Sequence, residues 1–181
     1  MNIIAFAGSL RKKSFNKSLL RAAIELAPST MNIDLFDLEG IPLFNADVEK
    51  KGDPERVTIF KKNIRQSDGV LIASPEYNHG MTGITKNGID WASRPGNDAP
   101  LNGKPVGIMG ASPGATGTAR SQDQLRQSLK SINAICMVKP EILVNRAHQK
   151  FNDEGTLTDE KTREYLSSYL DSFASWIQKV Q

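Results

Sequence analysis

The sequence predicts a three-layer α/β fold around a parallel sheet, because short apolar runs alternate with longer segments of helical period. Four of the five runs carry no charge, as expected of strands that are covered on both faces. The runs span residues 3–7, 33–38, 70–73, 106–110 and 134–138. Strands and helices that alternate in this way favour parallel pairing with right-handed crossovers.

Apolar residues at helical spacing predict the helices between these runs. Residues 16–27, 55–66 and 160–180 each carry such a stripe, which includes Leu20, Phe60 and Phe173 respectively. A further segment, 119–133, has few large apolar residues and many Arg and Gln, so we expect a largely solvated helix there.

Length and composition predict one domain that covers residues 1–181. Charged residues make up 24% and hydrophobic residues 39% of the 181, which is ordinary for a globular protein. No apolar run approaches the roughly 18 residues of a membrane span. Met1 leads into a strand-like run without the features of a signal peptide. We therefore expect a cytoplasmic protein with no membrane partner.

Several classes of site find no support in the residue pattern. The only cysteine, Cys136, lies in the apolar run AICMV, which predicts a buried, inert thiol. Two histidines, His79 and His148, without HExxH or CxxC spacing predict no metal site. The net charge of +3 suits small anionic ligands. No Lys/Arg stripe with interleaved aromatics points to a nucleic-acid partner.

Unusual loops follow three of the predicted strands. They read GSLRKKSFN (8–16), SPEYNHGMTG (74–83) and ASPGATGTAR (111–120), whereas other strand ends, such as VKPEI, are plain. Ligands of open parallel sheets bind beyond the carboxyl ends of the strands. The three loops are therefore expected to form one binding edge.

The first loop predicts a site for one compact phosphate. The N-terminus of the helix that follows offers free N–H groups and a positive dipole end. GxGxxG and Walker patterns are absent, which argues against a dinucleotide pyrophosphate or a P-loop. In the alternative interpretation, Ser14 is only a helix cap and Lys12 and Lys13 are solvated charges. The candidate phosphate-binding side chains are Ser9, Arg11, Ser14 and Asn16.

A rival motif, GxSxG, occurs at Gly110–Gly114 between a predicted strand and helix. His148 could complete a hydrolase triad with Asp123 or Glu141. The oxyanion hole of such an elbow uses the N–H of the residue after the serine, and Pro113 has none. Loss of that donor costs on the order of 10²- to 10³-fold in rate. A serine hydrolase therefore stays a minor alternative.

The chain resembles the NAD(P)H-dependent FMN reductase family, the flavodoxin-like group that includes quinone, azo-dye and chromate reductases. The resemblance rests on GSLRKKSFN, SPEYNHGMTGITKNGIDWASRP and GASPGATGTARSQDQLRQ, in that order. It implies a flavodoxin-like sandwich with a five-stranded parallel sheet of order 2-1-3-4-5. It also implies bound FMN, NADPH or NADH as co-substrate, and a small acceptor such as a quinone, azo compound, metal oxyanion or free flavin.

The resemblance also assigns the binding residues. Flavin N5 would carry the chemistry, so no catalytic side chain is expected. The implied assembly is a homodimer or a homotetramer, with contacts around residues 88–100. The residues that match the phosphate loop are Ser9, Arg11, Ser14, Phe15 and Asn16; those beside the isoalloxazine ring are Pro75, Glu76, Tyr77, Asn78 and His79; those near its pyrimidine end are Ser112, Pro113 and Gly114.

The chain departs from the family pattern at three places. Gly80–Gly83 replaces a run that usually contains proline, Gly88 replaces a usual alanine, and Asp123 stands where some relatives have tyrosine. A flavodoxin-type electron carrier stays open as an alternative, although such carriers usually present an acidic face and this chain is net positive. FMN as a diffusing substrate also stays open.

Overall fold

The computed structural model describes all 181 residues and has a parallel sheet at its centre. The strands are β1 (Asn2–Ala7), β2 (Asn32–Leu35), β3 (Gly69–Ala73), β4 (Glu76–Tyr77), β5 (Gly80–Met81), β6 (Pro105–Ala111), β7 (Ile135–Cys136) and β8 (Ile142–Val144). The α-helices are α1 (Phe15–Leu26), α2 (Ala46–Glu49), α3 (Glu55–Gln66), α4 (Gly83–Ala92), α5 (Ala119–Ser131) and α6 (Glu160–Val180). A single 3₁₀ turn spans Ala147–Gln149.

The sheet has the strand order β2-β1-β3-β6-β7, and β8 also pairs with β6. This order confirms the expected flavodoxin-like topology. Every pair in it is parallel, with Ile4 opposite Val70 and Val70 opposite Val106. β4 and β5 form a separate antiparallel hairpin at the carboxyl end of the sheet.

The fifth sheet position differs from the single strand predicted over residues 134–138. β7 pairs with the start of β6 and β8 with its end, so Ile135 lies opposite Pro105 and Ile142 opposite Met109. Pro140, in the intervening segment, has no N–H to donate to a ladder, which interrupts pairing there. The fifth sheet position therefore ends at Val144, beyond the segment VKPEI, in which the sequence shows no unusual loop.

The second strand is shorter than the predicted run 33–38. β2 lies at the edge of the sheet, and only Ile33 of its residues is buried. The N–H of Phe36 still donates to the carbonyl of Ala5 at 2.8 Å, and its ring packs against Phe60 with centroids 4.9 Å apart. Pairing with β1 therefore ends at Phe36, before the predicted end of the run.

Two hydrophobic cores cover the two faces of the sheet. Ala5 of β1 faces the core formed with α1 and α6, whereas Phe6 faces the core formed with α3, α4 and α5. β1 from Ile3 onward, β3 and β6 are buried throughout, as their uncharged runs predict. None of the helices combines the length and the apolar character that a membrane crossing needs.

Candidate active site

The first and second loops meet beside the end of β1. Thr82 donates a hydrogen bond from its hydroxyl to the carbonyl of Gly8, at 2.7 Å. A Cβ at Gly8 would lie only 1.8 Å from the Thr85 hydroxyl oxygen. Glycine is therefore the residue that lets the two loops approach this closely.

The first loop presents hydrogen-bond donors that no protein group uses. Ser9 and Ser14 are buried, and their hydroxyl oxygens accept the N–H groups of Arg11 and Lys17 at 3.4 Å each. Each serine still has its own O–H to donate. The N–H groups of Lys12 and Ser14 have no acceptor in the protein. Such a cluster of free donors fits an anion.

The charge of this loop belongs to an arginine without an acidic partner. The Arg11 guanidinium donates one bond, to the carbonyl of Lys13 at 2.9 Å, and forms no ion pair. Its remaining N–H groups suit a phosphate, which takes two donors from one guanidinium. Ser14 does cap α1, as the alternative interpretation held, but its hydroxyl keeps a free O–H toward the same space.

Asn16 joins the first loop to the third. Its side-chain nitrogen donates to the carbonyl of Ala111 at 2.9 Å, and its oxygen accepts the N–H of the same residue at 3.0 Å. The residue is 3% exposed. Asn16 therefore positions the end of β6 against the start of α1, a role that spacing in the sequence does not show.

The second loop is a tight hairpin with a strained turn. Asn78 and His79 have positive φ angles of 51° and 64°. Two residues with such angles match the type I′ turn that two-residue hairpins favour. The hairpin is held by α5, because Gln124 accepts the N–H of Met81 at 2.7 Å and Ser121 donates to the carbonyl of Pro75 at 2.7 Å.

Glu76 is the one carboxylate among the predicted site residues, and its side chain is 10% exposed. One oxygen accepts the N–H of Ser121 at 3.2 Å, and the other lies 3.6 Å from Arg120 and 3.9 Å from His79. Glu76 therefore anchors the hairpin to α5.

A fourth loop, which we did not predict, supports the third. The N–H of Ala147 donates to the carbonyl of Ser112, and the N–H of Arg146 to the carbonyl of Gly114, both at 3.0 Å. Residues 145–150 follow β8, so they reach the same edge of the sheet. The second half of the fifth strand was not predicted, because the segment VKPEI looks plain. The polar residues Asn145 and Arg146, which follow β8, were the signal in the sequence that would have indicated this loop.

The loops enclose one small cavity of about 110 Å³. All but three of the predicted site residues line it, and the exceptions are Asn78, His79 and Gly114. Ala111 lines it as well. Asn78 and His79 form the hairpin turn instead, and Gly114 lies in the third loop, where its N–H donates to the Ser112 hydroxyl oxygen at 3.1 Å.

The hydrolase alternative does not find its triad. The candidate acids Asp123 and Glu141 pair with Arg126, at 3.4 and 3.1 Å. No hydrogen bond joins Ser112 to His148, and Ser112 accepts from Gly114 instead. No group of three or more His, Cys, Asp or Glu residues could hold a metal ion.

Comparison with known proteins decides the family. The family description NADPH-dependent FMN reductase matches residues 1–149. The chain belongs to this FMN reductase family. It is 42% identical to an NAD(P)H-dependent FMN reductase of Pseudomonas aeruginosa, covering 100% of this chain and 97% of that protein.

One further relative and one solved structure support the same family. A 2-hydroxy-1,4-benzoquinone reductase of Burkholderia sp. is 39% identical, with 98% of this chain and 97% of that protein covered. The flavoenzyme NAD(P)H:(acceptor) oxidoreductase FerB of Paracoccus denitrificans superposes with a TM-score of 0.90 at 35% identity, over 98% of this chain and 97% of that one.

This FMN reductase is therefore an oxidoreductase that uses FMN and a reduced nicotinamide and passes electrons to a small-molecule acceptor. The resemblance seen in the loop motifs is confirmed. The electron-carrier alternative loses its support, because relatives of this chain are named as NAD(P)H-dependent oxidoreductases.

Proposed function

We propose that the cavity formed by the loops holds the phosphate end of FMN and that the acceptor is a quinone. The donor set carries the proposal: the residues that line this one cavity supply two buried serine hydroxyls, an unpaired guanidinium and the free main-chain N–H of Ser14. Pockets that enclose a drug-sized ligand measure about 300–1,000 Å³. A cavity of about 110 Å³ suits the phosphate and its chain, which leaves the flat ring at the open mouth.

Bound FMN would supply the hydride-transfer chemistry between reduced nicotinamide and the acceptor. Arg11 would neutralise its phosphate, and the O–H groups of Ser9 and Ser14 would donate to it. Tyr77 is 56% exposed on the hairpin. It borders the mouth where nicotinamide and acceptor would alternate. The N–H groups of Asn78, His79 and Ala115 have no acceptor in the protein, so they are the main-chain donors of these two loops that would be free for the ring.

The residues near the ring position their partners and need not carry a proton. Asn16 aligns the third loop, and Glu76 aligns the hairpin through Ser121. Both contacts fix loops relative to the sheet. In this proposal the protein contributes orientation and charge, because positioning within reacting distance supplies much of the rate in such transfers.

The quinone acceptor is supported by relatives that are named quinone reductases, at about 40% identity. A homodimer, or a homotetramer, is part of the same proposal. Ile89 and Trp91 are 2% and 0% exposed, so subunit contacts in the 88–100 segment would involve the half-exposed Asp90 and residues after Ala92. A cytoplasmic location fits an enzyme that consumes reduced nicotinamide.

Titration with FMN tests the phosphate site. Arg11→Ala should weaken FMN binding about 10- to 100-fold, because a charge-assisted hydrogen bond contributes about 1.5–3 kcal/mol. Arg65→Ala is the matched control, since Arg65 lies on α3, does not line the cavity and pairs with Asp98. Equal FMN affinity in the two variants would contradict the assignment of the phosphate.

Anaerobic mixing tests the reaction. The purified yellow protein should bleach with NADPH and recover its colour with a benzoquinone. Persistence of the colour through gel filtration separates bound FMN from FMN as a diffusing substrate. Bleaching without recovery by any quinone would refute the acceptor class.

A further inference from the structure

We infer that a second cleft, next to the flavin cavity, binds the adenosine 2′-phosphate end of NADPH. This inference rests on the proposed flavin site. The cleft lies between the start of α1 and residues 148–155 and has a volume of about 400 Å³. Phe15 lines both the cleft and the flavin cavity. The cleft therefore adjoins the cavity proposed for the FMN phosphate.

Unpaired cations give the cleft its charge. Lys12, Lys13 and Arg21 line it, and none forms an ion pair. Asp153 and Glu154 line the same cleft, yet neither lies within 4.0 Å of any cationic nitrogen. The three cations outnumber the two carboxylates by one, and cations without an ion-pair partner are free to bind a dianionic phosphate ester.

The walls of the cleft are fixed by close packing. Arg21 donates to the Ser18 hydroxyl at 2.8 Å, which orients the guanidinium. Gly155 has a φ of +81°, and a Cβ there would lie 2.7 Å from the Ser18 oxygen. The N–H of Gly155 donates to the carbonyl of Asn152 at 2.9 Å. The cleft is therefore preformed, which lowers the entropic cost of binding.

Aromatic rings beside the cations favour a nucleoside over an inorganic anion. Phe15 and Phe151 both line the cleft, with ring centroids 5.6 Å apart. His148 lines it too and adds a polar ring. A flat purine packs on aromatic rings, and a phosphate on its ribose would reach the lysines. The 2′-phosphate is the group that NADPH has and NADH lacks.

Nucleotide preference provides the test. In the holoenzyme, Lys12→Ala/Lys13→Ala should lower the ratio of kcat/KM for NADPH to that for NADH about 10- to 100-fold, through KM. Lys62→Ala/Lys130→Ala is the matched control. It removes two exposed, unpaired lysines from helix segments at the opposite edge of the sheet and should leave the ratio unchanged.

A probe without nicotinamide isolates the cleft. Adenosine 2′,5′-bisphosphate should compete with NADPH in the unaltered enzyme, and the lysine double variant should raise its inhibition constant about tenfold or more. Lys12→Arg/Lys13→Arg should keep most of the preference, because it keeps both charges. Inhibition should weaken as salt rises.

The outcomes separate this proposal from that of the flavin site. Equal losses with NADPH and NADH, or an unchanged inhibition constant in the lysine double variant, would overturn the cleft assignment. FMN affinity and bleaching by NADH report on the flavin cavity alone. An enzyme that bleaches normally with NADH and shows no change in preference refutes the cleft and leaves the flavin site standing.

Discussion

Replacement of Asn16 tests whether a site residue acts mainly by joining two loops. Asn16→Ala removes both bonds to Ala111 and leaves its buried N–H and carbonyl without partners. An unsatisfied buried group costs about 1–3 kcal/mol. We therefore expect the free energy of unfolding of the FMN-free protein to fall by about 2–5 kcal/mol.

Urea unfolding followed by circular dichroism measures this loss, and FMN titration measures the linked loss of affinity. Asn16→Asp keeps an acceptor for the N–H of Ala111 but places a carboxylate oxygen against its carbonyl, so it should also destabilise. Asn63→Ala is the control, because the half-buried Asn63 of α3 makes no side-chain hydrogen bond. It should change stability by no more than about 0.5 kcal/mol.

The reasoning is refuted by one pattern of results. If Asn16→Ala unfolds at the same urea concentration as the unaltered chain and yet loses FMN affinity, Asn16 acts as a direct ligand. The two bonds to Ala111 would then contribute nothing to the alignment of the third loop.

Four further predictions concern stability and reactivity. Gly88→Ala should stabilise α4 by about 0.5–1 kcal/mol, because the new Cβ would meet Leu38 at an ordinary 3.5 Å; thermal melting checks this. Gly110→Ala should destabilise or prevent folding, since its Cβ would lie 1.9 Å from the Thr118 hydroxyl; expression and melting show the difference. Burial raises the pKa of the half-buried Cys136 thiol to about 11, so iodoacetamide at pH 8 should label the folded protein more slowly than the urea-unfolded one. Burial also raises the pKa of Tyr169, whose hydroxyl donates to a main-chain carbonyl. The stabilisation of the folded protein by this neutral hydroxyl is present below the unfolded pKa of about 10 and is lost as the pH rises further. Tyr169→Phe should therefore lower the free energy of unfolding by about 1 kcal/mol at pH 8, and the stability of the variant should decline less at alkaline pH.

Local patterns predicted most helices closely and two sheet positions poorly. The apolar stripes placed α3 and α6 at the bounds that the structure shows, because each helix buries one face against the sheet. The predicted bounds of the fifth strand were wrong, because a strand position that pairs with β6 in two parts, separated by a proline, does not appear as one apolar run. The expectation that α5 is mostly solvated was wrong for its inner face, where Ser121 and Gln122 are fully buried.

Residue order along the chain was enough to indicate the fold class, and it predicts the edge of the sheet that binds a ligand and a single phosphate as its anchor. These follow from local chemistry: free N–H groups at a helix start, a basic loop and small residues after buried strands. Only the folded chain decided that Asn16 holds Ala111, that Glu76 contacts α5, that a fourth loop supports the third, and that residues 148–155 form a cleft with the cations at the start of α1. Those contacts join residues far apart in the sequence, and their partners are set by how strands and helices pack, which no local pattern encodes.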